Sequence, residues 1–136
     1  AIASGLKTAR WSGRMQYFGN VVVDGAHNPD GMRALVESVM AAHPETIWSV
    51  IFGVLKDKDY PGMLDELYKL PIDSVTLVTP KSPRALPAEK LLPFFDGKKI
   101  KALIAPNVRD ALKNSKSKPV LLCGSLYLAA EALACL

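Results

Sequence analysis

The segment VVVDGAHNPDGM, Val21 to Met32, places an aspartate and a histidine between three β-branched residues and a helix start. Asp24 ends the strand, where its carboxylate can accept two hydroxyl hydrogen bonds from a ribose or close an Asx-turn with Gly25. His27 lies just before the helix, a position where a ring caps, packs or contacts a ligand. Asp24 and His27 make half a metal site, and no third ligand is evident. Asn28-Pro29 reads as an N-cap followed by a first-turn proline. In KDKDY (Lys56 to Tyr60) two lysines flank aspartates, giving either an exposed, self-neutralising loop or a lysine, such as Lys58, that reaches an anionic substrate. Arg84 in SPRAL is a surface arginine or a bidentate clamp for a carboxylate or phosphate. Ser125 follows Gly124 as an N-cap candidate, where backbone amides also seat an anion.

These groups need a scaffold that brings them to one place, and the hydrophobic pattern supplies it. Met32, Leu35, Val36, Val39 and Met40 form the stripe of an amphipathic helix. TIWSVIFGV (Thr46 to Val54) is a continuous apolar strand, as expected of one buried on both faces. PGMLDELYKL is a helix with an early proline, SVTLVTP a strand, and PAEKLLPFF a short helix interrupted by Pro93. KIKALI is a strand, NVRDALKNS a helix capped by Asn107, PVLLCGS a buried strand, and SLYLAAEALACL a closing helix with a mostly covered face. RMQYFG is separated from Val21 by a hairpin-type Gly19-Asn20 turn, so it pairs antiparallel. The expected fold is a Rossmann-like, three-layer α/β domain. Its sheet has about six strands, mainly parallel with one antiparallel. Ligands in such sheets bind beyond the strands' carboxyl ends, which selects DGAHNP, GVLKDKD, TPKSPRA and CGS.

With 136 residues, 49% apolar and 22% charged, the chain has the size and balance of a single globular domain. The start at AIASGLKTARW carries no secretory signal and suggests a domain excised from something longer. No apolar run approaches a membrane span. Net charge is +4, but the basic residues are scattered. The one cluster, KNSKSK (Lys113 to Lys118), reads as a solvated loop between helix and strand, so no nucleic-acid partner is expected. Cys123 and Cys135 lack metal-ligand spacing and read as buried free thiols, which fits a reducing, cytoplasmic compartment. There is no P-loop, no G-x-G-x-x-G after the first strand and no nucleophile elbow. Taken alone, the chain has a binding rim without a catalytic engine.

The motifs WSGRMQ, VVVDGAHNPDG, FGVLKDKDY, SPRAL and CGSLYLAAE resemble, in that order, the C-terminal domain of folylpolyglutamate and dihydrofolate synthases, members of the Mur ligase superfamily. The resemblance runs from Trp11 to Glu131, with Ser12 where the family commonly has proline. It implies one glutamate-ligase domain over residues 1–136, with an N-terminal ATPase domain, its P-loop and its magnesium ligands lying outside them. It implies an ATP- and Mg2+-dependent ligase that activates a carboxylate as an acyl phosphate and joins L-glutamate to a folate or dihydropteroate, acting as a cytoplasmic monomer. Arg14 and Asp24 would contact ATP. His27 and Ser125 would place the ligand and the incoming glutamate, with Lys58 and Arg84 as further contributors. A Mur-type cell-wall ligase domain and a non-catalytic α/β binding module are the competing readings.

Overall fold

The computed structural model describes residues 14–136, so residues 11–13 of the first motif lie outside the described residues. Strands β1 (Gln16–Phe18) and β2 (Val21–Val23) form the expected hairpin, with Phe18 opposite Val21. Gly19 takes φ +60° at the first turn position, which a side chain would resist. Helix α1 (Pro29–Ala42), strand β3 (Trp48–Phe52), helix α2 (Tyr60–Leu67) and strand β4 (Ile72–Leu77) follow. After a 3-10 helix (Ala88–Phe95) come β5 (Lys101–Ile104), α3 (Val108–Asn114), β6 (Val120–Cys123) and α4 (Leu126–Cys135).

The six strands lie in the order β1-β2-β6-β3-β4-β5, with only the β1–β2 pair antiparallel. The last strand therefore inserts between two strands made early in the chain. Alternation along each strand divides the interior in two. Val22, Val50, Phe52, Leu77 and Leu121 face α1, α2 and the 3-10 helix. Val21, Val23, Ile51, Val120 and Leu122 face α3 and α4. Both faces are covered, which is why β2, β3 and β6 are buried at every position.

Four expectations change. The α1 stripe ends at Val39, and Met40 is 45% exposed. At 100° per residue Met40 lies about 80° around the axis from Met32, beyond the reach of the sheet. PAEKLLPFF is not a helix broken by Pro93 but one 3-10 helix running through it, closed by the Asp96 amide on the Pro93 carbonyl. The α4 helix covers Leu128, Ala129 and Ala132, yet leaves Leu126 and Tyr127 exposed at its first turn. Cys123 is buried as expected, whereas Cys135 is only half-buried; both are free thiols.

Candidate functional site

The loop after β2 runs to α1 on one face of the sheet, and the loop after the adjacent β6 runs to α4 on the other. Neighbouring loops that part in this way leave a crevice at the strand ends, where α/β domains hold ligands. An open cleft of about 430 Å³ occupies that place, its floor and walls including Arg14, Asp24, His27, Asn28, Ser38 and Leu126. A second crevice between β6 and β3 is closed by backbone. Gly124, at φ +114°, sits so near Gly53 that a Cβ would lie 2.3 Å from the Gly53 carbonyl oxygen.

Asp24 is buried, and its carboxylate is held at both oxygens. Oδ2 accepts the Ala26 amide at 2.9 Å, an Asx-turn across Gly25, and Oδ1 accepts the Met15 amide at 2.7 Å from the start of the hairpin. The turn thus takes one lone pair on each oxygen and leaves the others for a ligand. Burial pushes the Asp24 pKa up, against the pull of the Met15 and Ala26 amides and of the Arg14 charge. The same burial, helped by the Asp24 charge, pushes the Cys123 thiol up and leaves it inert.

A raised carboxyl pKa means that the folded state holds the Asp24 proton more tightly than the unfolded chain does. Its burial then costs stability progressively as pH rises from 3.8 through the raised folded value, and uniformly above it. Asp24→Asn removes that charge, so the stability gap should shift in favour of the variant as pH climbs from about 4 to about 7. Urea midpoints of the two proteins across that range check this. A gap that stays constant, or moves toward wild type, would mean that the two amide bonds outweigh burial.

His27 is half-buried, with Nδ1 2.9 Å from the Gly25 carbonyl oxygen. A carbonyl only accepts, so Nδ1 carries the proton and donates, and in the neutral ring Nε2 is left as an acceptor. Asn28 caps α1, its side chain accepting the Gly31 amide at 2.7 Å, and Pro29 opens the first turn. These two residues are the scaffold; His27 has no such duty in the cap.

Two of the remaining candidates, Ser125 and Arg84, lie at the start of α4 rather than in the cleft. Ser125 Oγ accepts the amides of Tyr127 at 3.0 Å and Leu128 at 3.4 Å, so it is the N-cap of α4. Its neighbour Leu126 reaches the cleft wall. Arg84 donates to Asp57 Oδ2 at 2.7 Å, and the nearby Tyr127 phenol, followed by Asp57, holds its pKa above the ordinary arginine value. The KDKD loop is therefore not self-neutralising. Asp57 serves Arg84, Asp59 caps α2 through the Gly62 amide at 3.0 Å, and Lys58 makes no ion pair among the described residues. One fold thus brings Arg14, Asp24 and His27 into a cleft, sets Ser125 at its border, and puts Arg84 beside the same helix.

Sequence reasoning missed the Met15 amide, the Gly53–Gly124 contact and the cleft wall supplied by α1. Only the contact left a trace, as glycines ending two apolar strands. Among the described residues no three histidine, cysteine, aspartate or glutamate side chains converge on a point.

Several known proteins resemble this chain in sequence and in fold. Folylpolyglutamate synthase of Lacticaseibacillus casei is 35% identical over 132 residues, 94% of this chain and 30% of its own length. Dihydrofolate synthase/folylpolyglutamate synthase of Bacillus subtilis is 31% identical over 140 residues, 96% of this chain and 32% of its own length. Bifunctional folylpolyglutamate synthase/dihydrofolate synthase from Yersinia pestis, complexed with AMPPNP and Mn ion, superposes with a TM-score of 0.79 at 27% identity. That match covers 96% of this chain and 32% of the other. E. coli FolC in complex with ADP superposes at 0.77 with 28% identity, over 90% of this chain and 30% of the other. The chain spans about 30% of the length of these relatives. The model of the Mur ligase, glutamate ligase domain matches residues 13–126, covering the cleft and its surrounding loops, and the chain belongs to that family.

Proposed function

We propose that this domain completes the active site of an ATP-dependent ligase that adds L-glutamate to folates, to dihydropteroate, or to both. The observation that carries the reading is the cleft at the β2/β6 crevice, where Arg14, Asp24 and His27 meet in a member of a glutamate ligase family. Arg14 is exposed and suits a phosphate; Asp24 retains acceptor capacity for a ribose hydroxyl; His27 Nε2 can accept from, or when protonated donate to, a substrate. The first turn of α4, with Ser125 and the Arg84 guanidinium nearby, suits the carboxylate of the incoming amino acid. Lys58, which makes no ion pair among the described residues, offers an ammonium from the loop after β3.

The nucleotide supplies the phosphoryl group that activates the acid. Its P-loop and most ligands of its Mg2+ would come from an N-terminal ATPase domain of the same polypeptide; the 136 residues carry no G-x-x-x-x-G-K-[ST] segment. The protein acts as a monomer in the cytoplasm. No helix of the described residues is long and apolar enough to cross a membrane.

Half a site should be inert. The 136-residue chain alone is expected to fold and to add no glutamate to a folate with ATP present, whereas the polypeptide that includes the ATPase domain does so. Radiolabelled glutamate incorporation by both proteins checks this. Turnover by the chain alone would overturn the two-domain reading. Activity of the longer protein on peptidoglycan precursors, but not on pterins, would favour the cell-wall alternative, and no activity in either would leave a binding module.

A further inference from the structure

The loop carrying Arg84 leaves β4 at Val78, and its two limbs are tied down differently. The returning limb is held by backbone: Lys56 donates to the Arg84 carbonyl at 2.8 Å, Leu86 donates to the Val54 carbonyl at 2.9 Å, and Leu55 and Ala85 form an isolated bridge. On the outgoing limb Val78 donates to the Phe52 carbonyl at 3.0 Å and Thr79 Oγ1 accepts the Ala88 amide at 2.9 Å, and beyond them the Lys81 amide donates to Glu131 Oε2 in the closing helix at 2.8 Å. Glu131 lies in α4, fifty residues along the chain and about a turn and a half beyond Ser125. Its carboxylate is not engaged in a salt bridge among the described residues.

We infer that Glu131 is a positioning residue, holding the Thr79–Ala85 loop against α4 so that the Arg84 guanidinium stays in register with the amides at the helix start. The inference rests on the ligase reading, in which these groups share one anionic substrate. A charge-assisted bond from a carboxylate to a backbone amide is short and directional, and it fixes the loop where backbone pairing is absent. The internal bonds of the turn, Ala85 amide to Ser82 carbonyl at 3.1 Å and Arg84 amide to Ser82 Oγ at 3.1 Å, shape the loop but do not place it relative to α4. Two anion-binding elements from separate parts of the chain act together only at fixed spacing, so loosening one should weaken binding more than the chemical step.

The test uses the full polypeptide with variants E131A, E131D and E131Q. Gln keeps an oxygen that can accept the Lys81 amide, while Asp keeps the charge but is one methylene too short. E131A and E131D should raise the KM for L-glutamate about tenfold with kcat within about threefold, and E131Q should stay within about twofold of wild type. Hydrogen exchange of segment 79–86 should quicken in E131A and E131D but not in E131Q. A role in stability alone would lower the active fraction, and hence kcat, without moving KM. Unchanged exchange in E131A and E131D would overturn the tether itself. Faster exchange at wild-type KM, or E131Q as impaired as E131A, would overturn the positioning role. A wild-type protein inert toward glutamate would sink the ligase reading instead, while the exchange comparison still decided whether the tether exists.

Discussion

Gly124→Ala is expected to cost the domain about 3 kcal/mol or more, a large share of the roughly 5–15 kcal/mol that holds a domain folded. Two effects add. At φ +114° the backbone lies where a side chain is strained, and the new Cβ would stand 2.3 Å from the Gly53 carbonyl oxygen and 2.9 Å from Phe52 Cε1. Neither obstacle yields cheaply. Gly53 is itself hemmed in, since a Cβ there would lie 2.4 Å from the Val78 carbonyl oxygen, and Phe52 is fully buried. Relief would require β6 to move away from β3, which strains the 3.1 Å bond from the Gly124 amide to the Ala26 carbonyl and so disturbs the loop bearing Asp24 and His27. Gly97→Ala separates the two causes. Gly97 has φ +74° but no atom within 4 Å of its would-be Cβ, so its substitution should cost only about 1 kcal/mol. Urea unfolding of the 136-residue chain gives both values. Equal losses at the two positions would mean that backbone conformation, not the approach of two strand ends, makes Gly124 necessary.

His27→Ala in the full polypeptide is expected to cut turnover by about tenfold or more, at least 1.4 kcal/mol of transition-state stabilisation, while unfolding shifts little. The ring makes one local hydrogen bond, to Gly25, and the helix cap beside it belongs to Asn28. Its loss therefore removes a group from the cleft without dismantling the turn. Asp24→Ala should reduce turnover by a similar factor but must also lower stability, because it frees the buried Ala26 amide and the half-buried Met15 amide together. His27 is thus the cleaner probe. Steady-state kinetics with thermal unfolding of each variant make the comparison. Wild-type kinetics in His27→Ala would return the loop to a purely structural role, and equal losses of activity and stability in both would say the same.

The features of this chain readable without the fold are those set by covalent neighbours. Helix starts at Asn28, Asn107 and Ser125 are local, since each side chain caps amides two or three residues on. The β1–β2 hairpin is local too, as is the alternation of strand and helix that implies a parallel sheet. Asp24 and His27 could be singled out because their residue types exceed what a turn needs.

Strand order was not legible, because β2, β3 and β6 are equally apolar and no local signal says that the last strand inserts between the first two parallel ones. That insertion decides the chemistry. It places the Ser125 helix beside the Asp24 loop, opens one crevice as a cleft and shuts the other with Gly53 against Gly124. Contacts between distant residues, Asp57 with Arg84 and Lys81 with Glu131, exist only once the strands have stacked in that order. Sequence alone determined which residues could act and which turns carry them. Tertiary packing decided which of them meet, because adjacency in a sheet is chosen by the joint burial of all its strands and not by any one of them.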